Sequence, residues 1–132
     1  MLLTRASEYA LLSLILIARS DKPEGVEALS YRLNISKSFL AKILQSLAKE
    51  GILKSYKGAK GGFVLDKQPE EIPIQKILEA VEKKHPLVFD CSPSMDACPN
   101  NKGEFCMIWP FLNKLQMKID EFLDNITLKD IM

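Results

Sequence analysis

Residues 36 to 65 constrain the fold more than any other stretch of this chain. Ser36 has the side chain of a helix N-cap, and Leu40, Ile43, Leu44 and Leu47 follow at i, i+3, i+4 and i+7, the spacing of one apolar helical stripe. Lys37, Ser38, Lys42, Gln45 and Lys49 fall off that stripe, so the outer face is polar and basic, and Gly51 supplies a C-terminal stop. Directly after it, residues 52–65 contain two strand-like runs around the tip Lys57-Gly58-Ala59-Lys60-Gly61-Gly62, the pattern of a β-hairpin. A helix that must bury one stripe, followed at once by a glycine-tipped hairpin, leaves few architectures open.

The residues before it narrow the choice. Thr4 can cap a first helix through the apolar stretch Tyr9 to Ala18, which is hydrophobic on nearly all sides and is expected to lie buried between other elements; Ser20-Asp21-Lys22-Pro23 ends it. Val26, Leu29 and Leu33 mark one face of a short second helix, and Asn34-Ile35 turns the chain into the helix capped by Ser36. Two helices joined by a tight turn, the second with a basic outer face, form the arrangement that places a helix in the DNA major groove. An ordinary core hairpin of helices has the same pattern; the following β-hairpin separates the two readings. As a wing, its glycines permit a tight reversal and close approach to phosphates, and Lys54, Lys57 and Lys60 supply counter-charge. The tip lacks the Gly-Lys-Ser/Thr of a nucleotide phosphate loop. Residues 1 to 67 carry 11 Lys+Arg against 6 Asp+Glu and residues 68 to 132 carry 7 against 11, so a net charge of +1 conceals a basic front half suited to double-stranded DNA.

All three cysteines lie between Asp90 and Cys106, with six residues between Cys91 and Cys98 and seven between Cys98 and Cys106. Proline, glycine, asparagine and aspartate make this segment a loop, able to fold its thiols round one centre. An odd count leaves one thiol over in any disulfide framework, and so polar a segment does not suit buried, inert cysteine. Three thiolates leave a metal one ligand short, to be supplied from elsewhere in the chain, a second subunit or water. The run Tyr9 to Ala18 follows Glu8, has no cleavage site after it, and falls short of the roughly 20 residues that span a bilayer; a reducing cytoplasm and no membrane are expected. With one histidine and no nucleophile–base grouping, the chain is not expected to be an enzyme.

Across nearly its whole length the chain resembles the IscR/NsrR group of bacterial winged-helix transcription regulators. The likeness lies in Leu3-Thr4 opening the first helix, Ile35-Ser36 to Leu47 as recognition helix, Lys57-Gly58-Ala59-Lys60-Gly61-Gly62-Phe63 as wing, and the three-cysteine loop. It implies a homodimer on an inverted-repeat operator, most simply a repressor, and an iron–sulfur cluster, [2Fe-2S] or [4Fe-4S], on Cys91, Cys98 and Cys106. Some relatives add a histidine three residues beyond the last cysteine; here that position is Trp109, which cannot ligate iron. Others use an acidic residue of the partner's first helix, and Glu8 stands at the matching position; His85 is the runner-up, with water, Asp90, Asp96 and Glu104 as further candidates. Lys57 replaces a frequent arginine, and Ala41 stands where some relatives place a polar recognition residue. The same residues also suit a structural zinc site or a metal-free thiol switch.

Pro73 opens a further helix with Ile74, Ile77, Leu78 and Val81 on one face, expected to pack the wing region against the domain. After the cysteines, Ile108, Leu112, Leu115, Ile119, Phe122 and Ile126 recur at four- and three-residue steps, a seam for a second helix. The expected fold is mainly α with a small β-hairpin wing: a winged helix-turn-helix domain over 1–84, a cysteine-rich cluster-binding loop over 85–107, and a long dimerisation helix with its tail over 108–132.

Overall fold

The computed structural model describes residues 3–98 and 106–132. Helix α1 spans Arg5–Ala18, α2 Val26–Leu33 and α3 Lys37–Lys49; strands β1 (Leu53–Tyr56) and β2 (Gly62–Leu65) form the wing; α4 covers Ile74–Glu82, α5 Trp109–Asn125 and α6 Leu128–Ile131. Among the described residues the fold is thus mainly helical with one two-stranded antiparallel sheet, as expected.

Local chemistry sets the boundaries. Thr4 Oγ1 accepts the Ser7 amide at 3.2 Å and caps α1, and Ser36 Oγ accepts the Phe39 amide at 3.4 Å to cap α3. Asn34, with φ 54°, turns α2 into α3, and the Ile35 amide donates to Ser30 O at 3.0 Å. Gly51, with φ 79°, ends α3 in the same way: its amide reaches Ala48 O at 3.1 Å and the Ile52 amide reaches Leu47 O at 3.0 Å. Both closures use a left-handed residue to satisfy helix-end carbonyls, a role open to glycine and asparagine at low cost.

The core gathers Leu14, Leu29, Leu40, Leu44, Leu47, Ile77 and Leu78, all with no exposed surface. The stripe Leu40, Ile43, Leu44 and Leu47 is buried as its spacing demands. Strand pairing runs from Leu53 opposite Leu65 to Tyr56 opposite Gly62. Helix α4 buries Ile74, Ile77 and Leu78, but against α1, α3 and α5; the wing strands pack on α1 and α3 instead, which corrects the expected partner of α4. The chain's end returns to this domain: the Ile74 amide donates to Ile126 O and the Leu128 amide to Ile72 O, both at 2.9 Å, and Leu128 is fully buried.

Two expectations about helix faces change. Helix α1 is not buried all round, because Arg5, Glu8 and Leu12 lie on an open side, Leu12 being 40% exposed. The apolar repeat of α5 is divided. Of its members Leu112, Ile119 and Ile126 turn inward, as does the neighbouring Leu123, and Ile119, Leu123 and Ile126 join the chain's own core, whereas Ile108 and Phe122, with the neighbouring Phe111, stay 60%, 62% and 64% exposed. A repeat spanning both faces fits a partner helix or the parent domain equally well; here one edge meets the parent domain and the other is open to solvent.

Candidate nucleic-acid interface and cysteine site

With its apolar stripe in the core, α3 presents Lys37, Ser38, Lys42 and Gln45 to solvent. Ser38 Oγ lies 3.0 Å from the capping Ser36 Oγ, and Lys37 Nζ lies 3.8 Å from Glu27 Oε1 across an exposed surface, a contact too solvated to resist exchange for phosphate. The wing carries Lys54, Lys57 and Lys60, all exposed, with Lys54 Nζ 5.5 Å from the centre of the Tyr56 ring. A link that the sequence did not betray holds the wing to the helices. Glu24 and Phe63 exchange backbone hydrogen bonds of 3.0 and 2.8 Å, extending the hairpin by one bridge into the α1–α2 connection.

Cys91, Cys98 and Cys106 are half-buried and none forms a disulfide. Cys98 follows a 3₁₀ turn, Met95–Ala97, and Cys106 leads into α5. Among the described residues, no three His, Cys, Asp or Glu side chains stand close enough to hold a metal ion. Glu104 and the chain between Cys98 and Cys106 lie outside the described residues. The donor types suit an iron–sulfur cluster: three thiols fall within one short stretch rich in proline, glycine, asparagine and aspartate, and carboxylates are available in the chain as an oxygen donor. Glu8 is on the open side of α1, where its Oε2 accepts from Arg5 Nη1 at 2.6 Å. Asp90 and Asp96 are exposed, and Asp90 borders a cavity of about 660 Å³ between the N-terminal end of α1, the end of α4 and the segment before Cys91.

His85 is occupied otherwise. Its Nε2 lies 2.7 Å from Asp120 Oδ1 and its Nδ1 3.3 Å from Glu79 Oε1, so it bridges α4 and α5. Burial lowers its pKa, yet the bonds to Asp120 and Glu79 outweigh this and leave it raised above 6.5. To ligate a metal it would have to give up a carboxylate partner.

Several residues holding the cysteine segment escaped the sequence reading. Trp109 Nε1 donates to Cys91 O at 2.9 Å, Asn113 Nδ2 to Ser92 O at 2.9 Å, and Gln116 Nε2 to Pro86 O at 2.9 Å. Gln116 Oε1 accepts the Val88 amide at 2.8 Å. The available signal was the row itself, at i, i+4 and i+7 on the side of α5 opposite Phe111 and Phe122.

A helix with a solvated basic face, set beside a lysine-bearing hairpin, defines a winged-helix DNA-binding protein. The chain belongs to the Rrf2 family, described as iron-dependent transcriptional regulators, whose family model matches residues 3–132. It is 30% identical to the transcriptional regulator NsrR of Bacillus licheniformis, over the whole chain and 92% of that protein, and 28% identical to IscR of Pectobacterium atrosepticum, over the whole chain and 79% of that protein. Its fold matches that of CymR, the global cysteine regulator of B. subtilis, with a TM-score of 0.73 at 24% identity, over 98% of this chain and 94% of that one. The fold of T. potens IscR matches with a TM-score of 0.74 at 24% identity, over 98% and 84%. The protein is therefore a transcriptional regulator of the family that includes IscR and NsrR and not an enzyme, in agreement with the sequence reading. No helix among the described residues is long and apolar enough to cross a membrane.

Proposed function

We propose that the protein is a homodimeric, cytoplasmic repressor whose grip on an inverted-repeat operator depends on an iron–sulfur cluster held by Cys91, Cys98 and Cys106, with the partner subunit's Glu8 as fourth ligand. The observation that carries this reading is the position of the three thiols. They occupy the connection between the winged-helix core and α5, and α5 exposes the apolar edge Ile108, Phe111 and Phe122 on which a second copy would dock. When bound, the cluster would supply a centre sensitive to oxidants or to nitric oxide. The remaining work falls to the chain. Lys37, Ser38, Lys42 and Gln45 meet the major groove, while Lys54, Lys57 and Lys60 neutralise phosphates. Glu8 faces outward on α1, which suits a bond across the dimer. Two recognition helices must stand about one DNA turn apart, roughly 34–36 Å, so a small change in how α5 is set against the core misplaces one half-site contact.

The test is purification without oxygen followed by a visible spectrum and assay of iron and sulfide. A brown protein with both elements supports the reading. A colourless zinc protein, or a metal-free one whose cysteines pair on mild oxidation, replaces it.

A further inference from the structure

Four side chains of α5 form one line: Trp109, Asn113, Gln116 and Asp120 stand at i, i+4, i+7 and i+11, within a narrow arc at 3.6 residues per turn. Each is bonded to the segment 85–92. Asp120 takes His85, Gln116 takes Pro86 O and the Val88 amide, Trp109 takes Cys91 O and Asn113 takes Ser92 O. The line is internally tied as well, Gln116 Nε2 lying 2.8 Å from Asp120 Oδ1. Within the segment, the Ser92 amide donates to Phe89 O at 3.0 Å, and the Phe89 amide donates to Ser92 Oγ at 3.0 Å. The peptide unit joining Cys91 to Ser92 is thus fixed from both sides, its oxygen by the indole and its N–H by Phe89. Ser92 and Gln116 are almost wholly buried, at 0% and 3% exposure, so water does not compete freely for these bonds.

We propose that this row is a clamp that positions Cys91 and passes any displacement of the cysteine segment into α5. The clamp bonds the backbone and leaves the thiol to rotate about its own χ1, which suits an anchor on which a ligand set closes. Trp109 and Asn113 are therefore positioning residues. The apolar edge Phe111 and Phe122 lies on the far side of the same helix, so movement taken up by the row reaches the surface where a second subunit docks. The inference rests on the reading of the cysteines as ligands, and it supplies the route from that site to α5.

The experiment uses the reduced, metal-free full chain, so its result does not depend on whether iron binds. Iodoacetamide labelling, followed by peptide mass spectrometry, gives the rate at each cysteine separately. Trp109→Phe keeps an aromatic ring in place and removes the donor; Asn113→Leu removes the second bond. Each is expected to raise the Cys91 rate about fivefold, the effect of losing one net hydrogen bond on local opening, while Cys98 and Cys106 stay within a factor of about two. An equal rise at all three thiols means general loosening, and no rise means no clamp; either result overturns the proposal. Trp109 is the only tryptophan, so a Cys98→Ser/Cys106→Ser chain labelled at Cys91 should show a shifted emission, and an unchanged spectrum overturns the coupling to α5. If purification without oxygen yields no iron while the metal-free chain still shows the selective rise, the proposed cofactor falls and the clamp stands.

Discussion

Glu24 and Phe63 are joined by a reciprocal pair of backbone hydrogen bonds, 3.0 and 2.8 Å long, that fastens the wing to the turn between α1 and α2. Gly62, immediately before Phe63, has φ 149°, and a Cβ there would stand 2.6 Å from the carbonyl carbon and oxygen of Glu24. Gly62→Ala should therefore break the bridge, lowering stability by about 1–3 kcal/mol and weakening operator binding further by swinging the wing out. Urea denaturation and fluorescence anisotropy with labelled DNA check the two effects.

Lys57 and Lys60 sit exposed at the wing tip. If each neutralises a phosphate, Lys57→Ala or Lys60→Ala should weaken binding to specific and unrelated DNA alike and make the log–log salt slope shallower by about 0.9 per lysine removed. An effect confined to one operator base would assign the residue to sequence reading instead.

His85 makes stability depend on pH. Its folded pKa is raised from 6.5, so protonated His85 contributes in full below that value and its contribution is lost as pH rises through the higher folded value. Melting temperature of the metal-free protein should decline as pH rises above about 6.5, more than in His85→Gln. The side chain is 38% exposed, which keeps the difference small. A His85→Gln curve parallel to the parent's would show that the bridge between α4 and α5 adds nothing.

Phe122 is 62% exposed on α5, whereas Leu123 beside it is buried at 8%. Phe122→Asp should separate the proposed dimer into monomers on sedimentation while leaving the melting temperature of the core nearly unchanged. Leu123→Asp should unfold the end of α5 instead, because it places a charge among apolar neighbours.

Much of the fold was open to inspection in the residues themselves. The stripe Leu40, Ile43, Leu44 and Leu47 is buried, Thr4 and Ser36 cap their helices, and residues 53–65 make the hairpin. These features are local: a period, a cap and a glycine each act within a few residues. The candidate site was legible only as residue types. Three thiols and Glu8 could be named, but nothing in their spacing fixes where each stands in space.

Sequence alone determined that α3 has a buried and a solvated face, that a glycine-tipped wing follows it, and that three thiols fall within one stretch rich in turn-forming residues. Tertiary structure decided the rest: which edge of the α5 repeat meets the chain's own core, that α4 backs α1 and α3, not the wing, and that Trp109 and Asn113 hold the backbone of Cys91 and Ser92. Periodicity depends on neighbours along one helix and survives any packing. A hydrogen bond between residues 18 or 21 positions apart exists only once the folded core has set the two segments side by side.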